Sequence, residues 1–228
     1  MSKNLTQQLT HKLGEAIVNG DYTVGLGMPS EAILCEQFEI SRSATREAVK
    51  MLSAKGLISS RPKQGITVNP ETEWNLFDTD VLSWILKSKP SLNLLKEFTQ
   101  VRYAIEPMAA KLAAENATPI QIKNMEDALH RISEAQDGLD DQLDAHIHFL
   151  NTILIASGNR FFIQLTQFVN AALRVSIRYT NNVKGVSNND ATFHGKVFEA
   201  IKNGNAQQAH QLIEDILDDA LGLINSRL

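Results

Sequence analysis

The sequence holds one cysteine, Cys35, in 228 residues. A lone thiol closes no disulfide within the chain, which fits a reducing compartment, and Cys35 reads as a small core residue rather than a redox centre. No apolar run reaches the ~18 residues that a membrane helix needs, and the polar start Met1-Ser-Lys-Asn4 lacks a signal-peptide core. A cytoplasmic chain without a membrane partner is expected. A strong basic excess is also missing, since the net charge is −4. From Leu92 onward there is no strand pattern, and no repeat period stands out anywhere.

The charge deficit looks different once the chain is divided. Residues 1–70 carry 8 Lys and Arg against 6 Asp and Glu, and residues 71–228 carry 14 against 20. The modest basic excess therefore belongs to the first third. It implies weak non-specific affinity for nucleic acid per subunit, and so a homodimer for useful binding. The hydrophobic fraction of 43% is ordinary for a globular chain, and the length accommodates two small domains.

The most informative stretch runs from Gly25 to Val68. Ser30 is a good helix N-cap, and Ala32, Ile33, Leu34 and Phe38 give the first short helix an apolar face. Ile40 closes a tight turn. Ser41 caps a second helix that runs to about Ala54 before the stop at Gly56. On it Ala44, Ala48, Met51 and Leu52 recur at helical spacing and are expected inside. Ser41, Arg42, Ser43, Thr45, Arg46 and Lys50 stand opposite or at the leading end. Hydroxyls at a helix start bind phosphate, and arginine can fork onto guanine O6 and N7. Leu57–Ser60 and Ile66–Asn69 alternate as strands around the basic tip Arg61-Pro-Lys-Gln-Gly65. The pattern predicts a winged helix-turn-helix with the second helix as reader and the wing on the backbone or minor groove. Upstream, Leu5, Leu9, Leu13, Ile17 and Val18 predict a bracing helix that Gly20 ends.

Pro70 and Glu71-Thr-Glu73 read as a linker, which sets domains of 1–70 and 91–228 joined by a connecting segment, 71–90. That segment contains a short aromatic helix from Trp74 to about Leu86, expected to pack against a neighbouring domain. Beyond it, helical periodicity predicts segments near 91–115, 118–135, 139–157, 159–182, 190–203 and 205–226, an all-α bundle. The fold class is mainly α, with a small β-hairpin in the first domain.

Five polar positions in the bundle fall on or near expected inward faces: Arg102, Asp144, His148, Arg174 and His194. Asp144 and His148 are four residues apart and project side by side. Each also has a plainer reading, as an exposed helix pair, as a partner of Glu106 for Arg102, or as a helix-end histidine. His130 and His146 lie off these positions and are expected on the surface.

Two resemblances extend these readings. The pattern Gly25, Met28-Pro29-Ser30-Glu31, Ser41-Arg42, Arg46-Glu47-Ala48, Leu52, Gly56-Leu57-Ile58, Arg61, Gly65 and Val68 is similar to the DNA-binding domain of GntR-type transcriptional regulators. The resemblance implies operator DNA as partner and contacts from Ser41, Arg42, Ser43, Arg46 and the wing. With the physical reading, the candidate DNA-binding set is Ser30, Ser41, Arg42, Ser43, Thr45, Arg46, Arg61, Lys63, Gln64 and Gly65. Two positions depart from the pattern: Ala32 replaces an arginine of some members, and Lys63 a common wing glycine.

The second arrangement, Arg102…Glu106…Ala109-Ala110, Asp144…His148-Phe149, Gly158-Asn159, His194 and Gly204-Asn205, resembles the FCD ligand-binding domain of the FadR subgroup. It implies a small carboxylate effector, and in metal-binding members a divalent ion such as zinc held by one Asp and three His. Asp144, His148 and His194 match three of those ligands, and the fourth position is Ile216, which binds no metal. The candidate effector-binding set is Arg102, Asp144, His148, Asn159, Arg174, Arg178 and His194, because arginine forks suit carboxylates and the other groups suit hydroxyls. The stretch Trp74–Trp84 is similar to a segment of galactonate-type regulators in the subgroup, which makes a sugar acid the expected effector class.

These readings predict an effector-responsive regulator, a repressor of a catabolic operon that acts as a dimer on a palindromic operator. Two alternatives compete. One is a metal-dependent enzyme built on Asp144, His148 and His194, which lacks an evident nucleophile or general base. The other is a DNA-binding protein with no ligand, which leaves the arginines of the acidic half unexplained.

Overall fold

The computed structural model describes residues 4–61, 64–88, 91–135, 139–171, 173–174 and 189–228. They form two compact units, Met1–Pro90 and Ser91–Leu228.

In unit one, helix α1 (Leu5–Asn19) starts at a capping box in which Asn4 and Gln7 satisfy each other's backbone, and it ends on left-handed Gly20. Leu9, Leu13 and Ile17 recur at helical spacing and are buried. Helix α2 (Glu31–Phe38) and helix α3 (Arg42–Ala54) each begin at a serine, Ser30 and Ser41, whose hydroxyl accepts a backbone N–H of the first turn. Of the apolar face expected on α2, Leu34 is buried and Phe38 half-buried, whereas Ala32 and Ile33 are exposed. On α3 the core positions are Thr45, Ala48, Val49 and Leu52, with Ala44 and Met51 half-buried.

The hairpin pairs β2 (Ile58–Arg61) with β3 (Gly65–Val68). A third strand, β1 (Gly27–Met28), lies on the other side of β3, giving the antiparallel order β1-β3-β2. Two residues carry no alternation to read, which is why the sequence alone predicts only a hairpin.

Residues 71–90 are part of this unit rather than a linker. Helix α4 (Thr79–Ser88) places Val81 and Trp84 in the same core as Leu13, Leu52 and Val68, joined by Trp74. The Trp84 ring covers Gly14 of α1, where a Cβ would lie 2.2 Å from a ring carbon, and its indole N–H donates to His11 Nδ1 at 3.2 Å. Lys55, just past α3, reaches Asp78 at 2.7 Å and Asp80 at 2.9 Å. Burial opposes the Lys55 charge, but hydrogen bonds and charges from the two aspartates prevail and raise its pKa.

The described residues of unit two form helices and connecting turns, with no strand among them. Its elements are α5 (Leu92–Asn116), α6 (Pro119–Glu134), α7 (Leu139–Ala156), the short α8 (Arg160–Gln164), helical residues 166–171 and 173–174, α9 (Asn189–Lys202) and α10 (Ala206–Asn225). Thr118 and Gln121 form a capping box, with Pro119 at the first helical position. The helix expected over 159–182 is interrupted at Leu165, and its later part lies outside the described residues. The most extensive pairing is α5 with α10. Fully buried Ala109, Ala110 and Ala113 on α5 and Ala209, Ile213 and Leu217 on α10 belong to this core. Tyr103 on α5 donates to Glu214 on α10 at 2.8 Å, and this bond, aided by desolvation, pushes its pKa up to about 12. Among the described residues no helix is long and apolar enough to cross a membrane.

Candidate nucleic-acid interface and effector site

The leading end of α3 exposes Arg42, Ser43 and Arg46, and the wing exposes Arg61, Gln64 and Gly65. Arg61 and Gly65 are the last register pair of the hairpin. Ser41 and Ser43 lie hydroxyl to hydroxyl at 3.1 Å. Ser30 is exposed, with its oxygen accepting Ile33 N–H at 3.4 Å. The serine hydroxyls and the guanidinium forks of Arg42 and Arg46 at the helix starts suit phosphate and base edges.

Thr45 does not belong to that surface. It is fully buried, donating to the Ser41 carbonyl at 3.2 Å and meeting Cys35 Sγ at 3.3 Å. A threonine can back-bond to the preceding turn, which satisfies its hydroxyl and lets it act as a core residue. Lys63 and Arg178 lie outside the described residues.

In unit two, Arg102 and Glu106 are both buried and locked to each other, Nε to Oε1 at 2.7 Å and Nη2 to Oε2 at 2.9 Å. The fork expected to hold an effector is thus filled by a residue one turn on. Asn159 is likewise committed, capping α8 through a bond from Phe161 N–H at 2.9 Å. Two expected residues do come together: Arg174 Nη1 meets Asp144 Oδ1 at 2.5 Å, with both side chains nearly half exposed. His148, one turn from Asp144, is exposed.

His194 is buried, and its ring meets His146 edge-on at 4.7 Å and Phe149 at 5.1 Å between centroids. His146 is therefore an inward residue rather than a surface one. It sits half a turn from Asp144 and His148, so α7 turns one histidine inward and the other out. Sequence spacing alone did not separate them. Among the described residues no group of three or more His, Cys, Asp or Glu could hold a metal. The Asp144, His148 and His194 set is dispersed: Asp144 is on Arg174, His148 is on the surface and His194 is against His146. Ile216 stands at the fourth position.

Burial, with the nearby His194 adding to it, lowers the His146 pKa from 6.5 to about 4. The folded state prefers the neutral ring, so this contribution is complete above pH 6.5 and is lost as pH falls toward 4. A loss of about 2–3 kcal/mol is expected across that window. Urea unfolding of the wild type against His146→Gln, at pH 7 and pH 4.5, should show the wild type falling further.

Residues 5–68 match the family described as bacterial regulatory proteins, gntR family, and residues 97–219 match the FCD domain. Over 213 residues the chain is 32% identical to the galactonate operon transcriptional repressor of Escherichia coli K12, covering 92% of this chain and 93% of that one. It is 29% identical to the HTH-type transcriptional regulator LutR of Bacillus subtilis, covering 88% and 95% respectively. A solved GntR structure from Streptococcus agalactiae superposes over 95% of this chain and 99% of its own, with a TM-score of 0.51 and 22% identity. The chain belongs to the GntR family of transcriptional regulators, with a winged helix-turn-helix followed by an FCD domain. The family consists of DNA-binding regulators, not enzymes, which removes the metalloenzyme alternative.

Proposed function

We propose that the chain is a homodimeric repressor of a catabolic operon, released from a palindromic operator by a small carboxylate, a sugar acid in particular. The observation that carries the effector half is the Arg174–Asp144 pair. Exposed ion pairs of this kind are worth only ~0–1 kcal/mol, so a ligand carboxylate can displace Asp144 from the guanidinium at little cost. Asp144 and exposed His148 then face the ligand's hydroxyls. The buried Arg102–Glu106 pair is the opposite case and stays closed. Support for a sugar acid comes from the relative named for the galactonate operon.

On the DNA side, α3 reads the major groove with Ser41, Arg42, Ser43 and Arg46. Ser30, Arg61, Gln64 and Gly65 meet the flanking backbone. Two-fold symmetry in the dimer requires a symmetric site. Ligand binding shifts the population of dimer arrangements that fit the operator. The ion is left out of this reading, so dialysis against a chelator should not change the response.

Mobility shifts on fragments upstream of the chain's own operon, titrated with a panel of hexonates, test the proposal. Release by at least one is expected, and undiminished complexes across the panel would count against it. Arg46→Ala should reduce specific binding by roughly 10–100-fold, the value of one bidentate base contact, and relax the base preference at that position.

A further inference from the structure

Arg46 is held from another helix. Its Nε lies 3.4 Å from Glu31 Oε2, and Glu31 is the first residue of α2, fifteen positions earlier. The Arg46 side chain is 70% exposed, so packing does little to fix it. A carboxylate beside a surface that meets a polyanion lowers affinity, and surface pairs of this kind add little stability. The Glu31 side chain thus carries a cost on this face that stability does not offset.

The atoms involved suggest what it gains. Glu31 engages Nε, at the root of the guanidinium, while Nη1 and Nη2 are the pair that would fork onto guanine O6 and N7. A long, exposed arginine otherwise spreads over many rotamers and meets phosphates as readily as bases. We propose that Glu31 is a specificity-determining positioning residue, holding Arg46 for base recognition and discouraging its collapse onto phosphate. The proposal rests on α3 being the reader.

The plainer role for Glu31 is an acid in the first turn of α2, favourable to the helix dipole. Glu31→Asp separates the two. It keeps the charge and the helix position but shortens the reach by one methylene. Full-length wild type, Glu31→Asp, Glu31→Gln and Arg46→Ala would each select from a random-sequence duplex library, read by sequencing, with thermal melting as a fold control.

In the proposal, Glu31→Asp and Glu31→Gln lose base preference at the same operator positions as Arg46→Ala, by tenfold or more. Glu31→Gln meanwhile binds unselected duplex as well as wild type or better, because a repulsive charge is gone. Preferences within twofold of wild type in both Glu31 variants would overturn it. A wild type that enriched no sequence would overturn the reader assignment itself, and with it this role for Glu31.

Discussion

Glu106→Ala is expected to cost unit two about 3–5 kcal/mol, because it leaves the Arg102 guanidinium buried without its partner. The thermal midpoint should fall by roughly 10 °C or more, readable by calorimetry or circular dichroism. Arg102→Ala should behave similarly, stranding a buried carboxylate. A joint replacement, Arg102→Met with Glu106→Leu, removes both charges together and should recover most of the loss. This pattern distinguishes a structural pair from a ligand-binding arginine. A ligand-binding Arg102 would tolerate alanine in the fold and lose only the response to inducer.

Gly14→Val carries the next largest effect. Its Cβ would fall 2.2 Å from the Trp84 ring, and neither α1 nor a packed indole can yield that much. A loss of at least about 2–3 kcal/mol in unit one is expected, with α4 displaced and the Trp84 fluorescence shifted toward that of an exposed indole. Combining Gly14→Ala with Trp84→Leu, which trims the ring, should restore much of the stability. A Gly14→Val protein as stable as wild type would mean that α4 does not dock on α1.

These two sites also show where sequence reading succeeds and where it stops. Helix α3, its serine cap and the hairpin follow from capping and alternation within a few residues of each other, so they are legible along the chain. The docking of α4 depends on one glycine and one tryptophan seventy residues apart, and an acidic, proline-led stretch at 70–73 suggests a linker instead. Thr45 looks polar in the sequence but is a core residue once its hydroxyl bonds to the previous turn. On α7, the Asp144–His148 spacing puts two residues one turn apart, yet gives no sign of which face of the helix meets α9. That face belongs to His146. Arg102 with Glu106 was readable as a local pair from spacing alone, while the burial that makes it permanent comes from helices distant in the chain.

The central claim is that α3 grips the duplex and that Arg174 lets a carboxylate loosen the grip. Fluorescence anisotropy on a duplex selected by the full-length protein, titrated with a hexonate, tests both in one plate. Wild type should bind and then release, Arg174→Ala should bind equally well and fail to release, and Arg46→Ala should bind roughly 10–100-fold more weakly. Release from Arg174→Ala at the wild-type hexonate concentration, or specific binding by Arg46→Ala at wild-type affinity, would contradict it.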